Sequence, residues 1–462
     1  MRLIFYIIFS LLLYDFGLSQ QAYTSSQYAV RAEYDIPYQT AVDYAGNTIN
    51  LKLDLYKPVG DHNCKRPIIV FTHGGSWIGG DRKQASFINV ARGMAARGWL
   101  VASIQYRLGT HKRSNYTPYL LCPVEYGCVY NYDTAEVFRA NYRGMQDMKA
   151  ALRFVKARSD IDSSDQNVTF IAGESAGAFV AYWAAYLNEE FEKPPMCNGI
   201  QSVNPADADL KLCQSSTISL LRPDLGSIRG EIKSTDHTDE SVLGVAIMIG
   251  GQLGHLDIKA GDPALYVYHN TNDAIADIQE KPLLSPLFQN CFNPFNLCQP
   301  MDNMPWAKGG RAVLNYLNSL TGHPILFDDT QDTGNNYCDT NLPGHAIYLQ
   351  DVRAQKIANF FAPIIESKGN IPSSTCNTSG NLSPDLQNNI QFYISHSKIN
   401  WSSDLDIKNI EIYDLTGKLI MDNFVKYSSH ELDLKDKITP GLYIVKAYTS
   451  SKNLHSQKIY IK

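Results

Sequence analysis

The sequence predicts an α/β fold, a mostly parallel doubly wound sheet, followed by a small antiparallel β-sandwich. Three observations carry this. Short continuous apolar runs alternate with helix-period segments between residues 67 and 361, as expected for strands buried on both faces and covered by crossover helices. A stretch rich in Ser, Asn, Gly and Pro occupies 367–389, a linker composition. Beyond it, period-two runs are separated by turns such as Thr-Gly-Lys and Thr-Pro-Gly, which mark short antiparallel strands.

Each element follows in order. "INLKLDLYKP" alternates with period two and predicts an N-terminal β-hairpin over Ala41 to Leu55, with Pro58 as its stop. "PIIVFTHGG" (67–75) and "WLVASIQYR" (99–107) read as buried strands, with a helix over Ala85 to Arg97 between them. Over 139–161, Met145, Met148, Leu152 and Val155 recur at three- and four-residue intervals, which predicts an amphipathic helix. "NVTFIAGES" then reads as a strand and "AGAFVAYWAAYL" (176–187) as a helix. Further strands are expected at 242–251, 264–270 and 324–329, with a last helix from about Ile347 to Phe361. Three long stretches interrupt this rhythm: Leu108 to Thr134, Asn188 to Ser241 and Asp277 to Gly309. Loops of this length in a compact domain are usually functional, and these are expected to face the substrate.

The 462 residues exceed what one core usually organises, so the chain divides into a signal peptide (1–19), a catalytic domain (20–368), a linker (369–386) and a C-terminal sandwich (387–462). The first segment, "MRLIFYIIFSLLLYDFGLSQQ", has one early arginine and an apolar run too short for the roughly 20 residues that span a bilayer. No later segment is apolar enough to span. A net charge of −5 gives no reason to expect nucleic acid as a partner. Nine cysteines fit an oxidising destination. Cys122/Cys128, Cys291/Cys298 and Cys197/Cys213 are the candidate local staples, and the odd total leaves one cysteine unpaired. None clusters with histidines as zinc ligands do, so neither metal nor cofactor is expected.

The chemistry centres on "FIAGESAG" (170–177). A serine hydroxyl needs a base, an acid to orient that base, and donors for the developing oxyanion. Ser175 falls between a strand and a helix, flanked by Gly173, Ala176 and Gly177, as a strained strand-to-helix turn requires. "THGGSW" (72–77) follows the first buried strand, and its loop offers the N–H groups of Gly75 and Ser76, with that of Ala176, as an oxyanion hole. His73 is expected to brace this loop. In "YVYHNTNDAIAD" the acid is Asp273, nearest the strand end, in preference to Asp277, a solvated or capping carboxylate. His345 in "NLPGHAIYLQD" is the base, ahead of His323 and His269. Activity is expected to rise with pH through a group near the ordinary histidine value of about 6.5.

In order and spacing, "LKLDLYKP", "HGGSW", "ASIQYR", "GESAG", "HNTND" and "GHA" resemble the α/β-hydrolase superfamily, in its carboxylesterase and lipase branches that include feruloyl and acetyl esterase relatives. The resemblance covers about Ala41 to Ala362 and implies an α/β-hydrolase fold and ester hydrolysis through an acyl-enzyme on Ser175. The substrates expected are short acyl or aryl esters, such as acylated polysaccharide fragments. One departure is local: the usual His-Gly-x-x-Asp reads His269-Asn270-Thr271-Asn272-Asp273. The tail, with "IYDLTGKLI", "GLYIVKAY" and "SQKIYIK", resembles the C-terminal sorting domain of the type IX secretion system of Bacteroidota. That implies a secretion-machinery partner, passage through the periplasm, and release or attachment at the cell surface. Two rival readings are an amide hydrolase on the same triad, peptidase or arylformamidase, and a non-catalytic surface binding protein. A carbohydrate-binding sandwich would need exposed aromatics, and Trp401 is the tail's one tryptophan.

Overall fold

The structure, a computed structural model, describes residues 22–109, 134–199, 223–285, 304–320, 322–328, 344–370 and 372, and in the tail 391–395, 398–402, 407–414, 419–424, 431–434, 438, 440–449 and 454–461. The expected signal peptide lies outside these. The chain divides into two compact units, Met1–Thr375 and Cys376–Lys462, and the division falls within the stretch read as a linker.

The strands of the first unit are β1 (Ala29–Val42), β2 (Thr48–Val59), β3 (Arg66–Thr72), β4 (Leu100–Ile104), β5 (Ser164–Glu174), β6 (Gly244–Met248), β7 (Gly251–Leu253), β8 (Ala264–Tyr268), β9 (Glu280–Pro282), β10 (Trp306–Gly309) and β11 (Ile325–Asp328). Its helices of eight residues or more are α1 (Ala85–Ala95), α2 (Thr134–Ala157), α3 (Ala176–Tyr186), α4 (Gly310–Leu317) and α5 (Gln350–Ser367). One eight-stranded sheet runs β1-β2-β4-β3-β5-β6-β8-β11. Its last six members are mutually parallel, and β1 and β2 are antiparallel. This is the α/β-hydrolase arrangement. The hairpin is longer than its alternating core suggests, and Pro58 lies inside β2 paired with Val30. It is tolerated there because β4 covers only Leu53 to Tyr56 of that strand, so no second neighbour needs an N–H from residue 58.

Alternation along the strands sends side chains to two cores. Ile68 and Val70 join α2 and α3 on one face, and Ile69 and Phe71 join α1 and α5 on the other. The result is a helix-sheet-helix sandwich, and it explains why these strands read as unbroken apolar runs. From β3 the chain crosses by α1 on one face to reach β4, then by α2 on the opposite face to reach β5. The connections leave the central strands in opposite directions, which opens a crevice at the carboxyl ends of β3 and β5.

Helix α2 departs from the amphipathic expectation. Met145, Met148, Leu152 and Val155 face the sheet, but Arg139, Gln146, Lys149, Arg153 and Lys156 are buried as well. Their donors meet backbone carbonyls of the following insertion. Arg139 donates to Met196, Asn198 and Pro223, Gln146 to Leu225 and Ser227, Lys149 to Leu187, and Lys156 to Ser241. Polar side chains can be buried at this density because most of their donors find an acceptor, as Arg153 does at Glu240 and at the Glu231 carbonyl. The described parts of 188–241 are therefore strapped along α2. The central parts of all three long stretches lie outside the described residues.

Short strands escaped the periodicity reading: β9 and β10 lie within the third stretch and join β7 in a three-stranded antiparallel sheet of order β7-β10-β9. Cys197 is buried and free, so the expected Cys197/Cys213 staple is not made. Cys64 is disulfide-bonded. The other two candidate pairs lie outside the described residues. No described helix is long and apolar enough to cross a membrane.

The second unit has two antiparallel sheets. One is β12 (Gln391–Ser395), β13 (Lys398–Ser402) and β16 (Glu431–Asp433); the other is β15 (Leu419–Phe424), β14 (Ile407–Asp414), β17 (Gly441–Thr449) and β18 (Leu454–Ile461). Ile399, Ile410, Ile412, Val445 and Trp401 form its core. Trp401 is 4% exposed, so it cannot offer the aromatic face that a carbohydrate-binding sandwich would need.

Candidate active site

Ser175 closes β5 and opens α3 with φ of 52° and ψ of −122°, a backbone state that costs a non-glycine residue on the order of 1–3 kcal/mol. Two features hold it there. Its N–H donates to the Met248 carbonyl at 2.9 Å. A Cβ on Gly177 would stand 2.2 Å from the Thr72 oxygen and 2.5 Å from that of His73, so only glycine lets α3 approach the end of β3 this closely. The turn lifts a partly exposed hydroxyl into the crevice.

The loop after β3 lies against this turn. A Cβ on Gly74 would be 2.9 Å from that of Ser175, which brings the following residues beside the serine. Gly75 has φ of 115°, and Ser76 and Trp77 have φ of 53° and 60°. The Gly75 carbonyl accepts from the N–H groups of Ile78 and Gly79. Trp77 pins the loop from outside, donating through Nε1 to Asn141 of α2 at 3.0 Å. Among the described residues, the N–H groups of Gly75, Ser76 and Ala176 donate to no protein acceptor. His73 is fully buried and its Nδ1–H donates to the Gly74 carbonyl at 2.7 Å. Burial pushes its pKa down to about 4, so the ring is a neutral brace.

Opposite the serine, His345 Nε2 accepts from Ser175 Oγ at 2.7 Å. Its Nδ1–H donates to Asp273, with the carboxylate oxygens at 2.9 and 2.8 Å. Burial alone would lower the His345 pKa. The charge and hydrogen bond of Asp273, with the charge of Glu174, outweigh it and hold the imidazole above its ordinary value of 6.5. Asp273 is buried too, which would raise its pKa, but His345 and His269 hold it below the usual carboxylate value. The N–H groups of Ile275 and Ala276 also donate to Asp273, each at 2.9 Å. Asp277 sits apart, paired with Lys281 at 2.6 Å. His323 packs near Tyr186 and takes no part in this cluster.

Two residues of the site were not singled out by sequence reasoning for the positions they hold. His269 accepts the Gly310 N–H on Nδ1 at 3.0 Å, which fixes its own proton on Nε2. That Nε2–H donates to the Ala276 carbonyl at 2.8 Å and faces Asp273 Oδ2 at 3.2 Å. Asn270 Nδ2 donates to the carbonyls of Gly344 at 2.6 Å and Ala346 at 2.8 Å, on either side of the base. The signal was present as the "HN" that opens "HNTND". Among the described residues, no group of His, Cys, Asp or Glu could hold a metal.

The geometry has counterparts in known proteins. Residues 53–142 match the BD-FAE family, and residues 389–462 match the secretion system C-terminal sorting domain. Esterase LipC of Mycobacterium tuberculosis is 27% identical over 129 residues, which are 28% of this chain and 25% of that protein. Gut esterase 1 of Caenorhabditis elegans is 31% identical over 128 residues, 28% of this chain and 19% of that protein. The chain thus spans about a quarter or less of the length of these relatives. Esterase 2 of Thermogutta terrifontis in its apo form aligns at 15% identity with a TM-score of 0.38, covering 74% of this chain and 97% of that one, a likeness too slight to build on.

Proposed function

We propose that the protein is an exported serine carboxylesterase that hydrolyses short acyl or aryl esters, such as acylated polysaccharide fragments. The observation that carries this reading is the unbroken chain from Ser175 Oγ to His345 Nε2 at 2.7 Å and from His345 Nδ1 to Asp273 at 2.8 Å, set at a strained turn in the crevice. The BD-FAE match and the esterase relatives support ester chemistry, and the sorting-domain match supports export by the type IX system to the surface or the medium.

In this mechanism Ser175 Oγ attacks the ester carbonyl while His345 Nε2 takes its proton. Asp273 fixes the tautomer by accepting from Nδ1 and stabilises the imidazolium that forms. The carbonyl oxygen, now charged, meets the undonated N–H groups of Gly75, Ser76 and Ala176, and each such donor contributes about 3 kcal/mol because its partner charge exists only in the transition state. His345 then protonates the leaving alcohol, and water delivered by the same base releases the acid.

The test is hydrolysis of p-nitrophenyl esters from acetate to laurate, and of a matched anilide, by the full-length exported protein and by Ser175→Ala. Ester cleavage reduced roughly 10,000-fold or more in the variant is expected, with an optimum among the short chains. Faster anilide cleavage would replace the esterase by an amide hydrolase on the same residues. Equal turnover by both proteins would remove Ser175 from the reaction.

A further inference from the structure

We propose that Asn270 is a positioning residue that clamps the loop carrying His345, a role that rests on the esterase reading for its kinetic consequence. The usual glycine of His-Gly-x-x-Asp has no side chain to offer. Here the position carries an amide that is 3% exposed and fully used. Nδ2 spans the base by donating to the carbonyls of Gly344 and Ala346 at 2.6 and 2.8 Å. Two carbonyls can only accept, so the amide orientation is fixed by its partners. Oδ1 accepts from the Tyr268 hydroxyl at 2.8 Å, and that oxygen in turn lies 3.4 Å from the Tyr348 N–H. Residues 344, 346 and 348 are thus tied to the carboxyl end of β8.

The same strand end presents the acid. His269 and Asn270 divide the work, the imidazole facing Asp273 and the amide holding the backbone of His345. Gly344 shows how close the two segments are, since a Cβ there would stand 2.1 Å from the Asn272 oxygen. At Gly344 itself no side chain can set the register, because no room exists for one. Hydrogen bonds from position 270 supply the register instead. Without them two buried carbonyls lose their donors and the imidazole loses its fixed distance to Ser175.

The experiment compares wild type, Asn270→Ala and Tyr268→Phe in the full-length protein. It reads kcat and KM separately, and also the far-downfield proton resonance of the His345 Nδ1–H, assigned by its absence in His345→Ala. Asn270→Ala is expected to lower kcat by roughly 10- to 100-fold while KM moves less than about twofold, and to broaden or abolish the resonance. Tyr268→Phe keeps the ring and removes the bond that orients Oδ1 together with the long contact to the Tyr348 N–H, so a severalfold loss is expected; it decides the matter should Asn270→Ala fail to fold. Unchanged kcat and an unchanged resonance in a folded variant would overturn the clamp. Absence of ester hydrolysis by wild type would instead sink the esterase reading, and the resonance would still decide whether Asn270 holds the histidine.

Discussion

The Ser175 half of the candidate site and its Asp273–His345 half are built from different materials. Ser175 is placed by the backbone, through a φ of 52°, a bond from its own N–H to Met248 and the glycine contact at Thr72. His345 and Asp273 rely more on side chains, since His269 faces Asp273, beside two backbone N–H groups, and Asn270 holds both carbonyls around His345. A backbone device tolerates almost no substitution and is all or none. A side-chain device can be weakened bond by bond, so the two halves should fail in different ways when perturbed.

Within the Asp273–His345 half the largest effect belongs to Asp273. Asp273→Asn should lower kcat roughly 10,000-fold with the fold intact, because an amide at that position can hold the wrong imidazole tautomer. The same pair sets the pH dependence. Asp273 and Glu174 raise the His345 pKa against its burial, which favours the protonated form, and only the neutral ring can act as base. Activity of the wild type should therefore climb with pH with a midpoint above 6.5, higher than the unperturbed value expected from sequence. A kcat/KM profile that is flat between about pH 5 and about pH 8 would break the assignment of His345.

Gly177→Ala probes the other half and should cost roughly 100-fold in kcat. Its Cβ would lie 2.2 Å from one carbonyl oxygen and 2.5 Å from another, so α3 or β3 must move, and Ser175 moves with α3. Because the neighbours are backbone atoms, no rotamer change can relieve the contact. Near-normal turnover by a folded Gly177→Ala would show that the serine is not held by this approach, and the contrast between the two halves would lose its main support.

This difference in materials also explains what could be read from the sequence. Strands β3 and β5 and the Ser175 turn were legible because burial on both faces demands continuous apolar runs, and close backbone approach demands glycine at fixed positions. His269 and Asn270 were not, because a hydrogen bond across 74 residues, as from Asn270 to Gly344, leaves no local period. The small β7-β10-β9 sheet was missed for a related reason, since strands of three and four residues are shorter than any periodicity can mark. Helix α2 misled in the opposite sense. An amphipathic helix would expose its polar face, whereas Arg139, Gln146 and Lys156 are buried against carbonyls that the later insertion supplies.

The smallest effect isolates the strain at the nucleophile. Ser175→Ala and Ser175→Gly both lack the hydroxyl that the proposed mechanism requires, but alanine keeps the Cβ that makes φ of 52° costly, and glycine does not. Against this relief stands the extra freedom glycine gives the unfolded chain, worth roughly 0.5–1 kcal/mol. The balance should leave Ser175→Gly about 1 kcal/mol more stable than Ser175→Ala, measured as the difference in denaturant midpoint at equal slope. Equal stability would mean that the turn is held without strain and that the backbone half of the site is merely well packed. A stabilised glycine variant would show that the fold spends part of its stability on presenting Ser175, which is the expectation for a residue whose position matters more to the chemistry than to the fold.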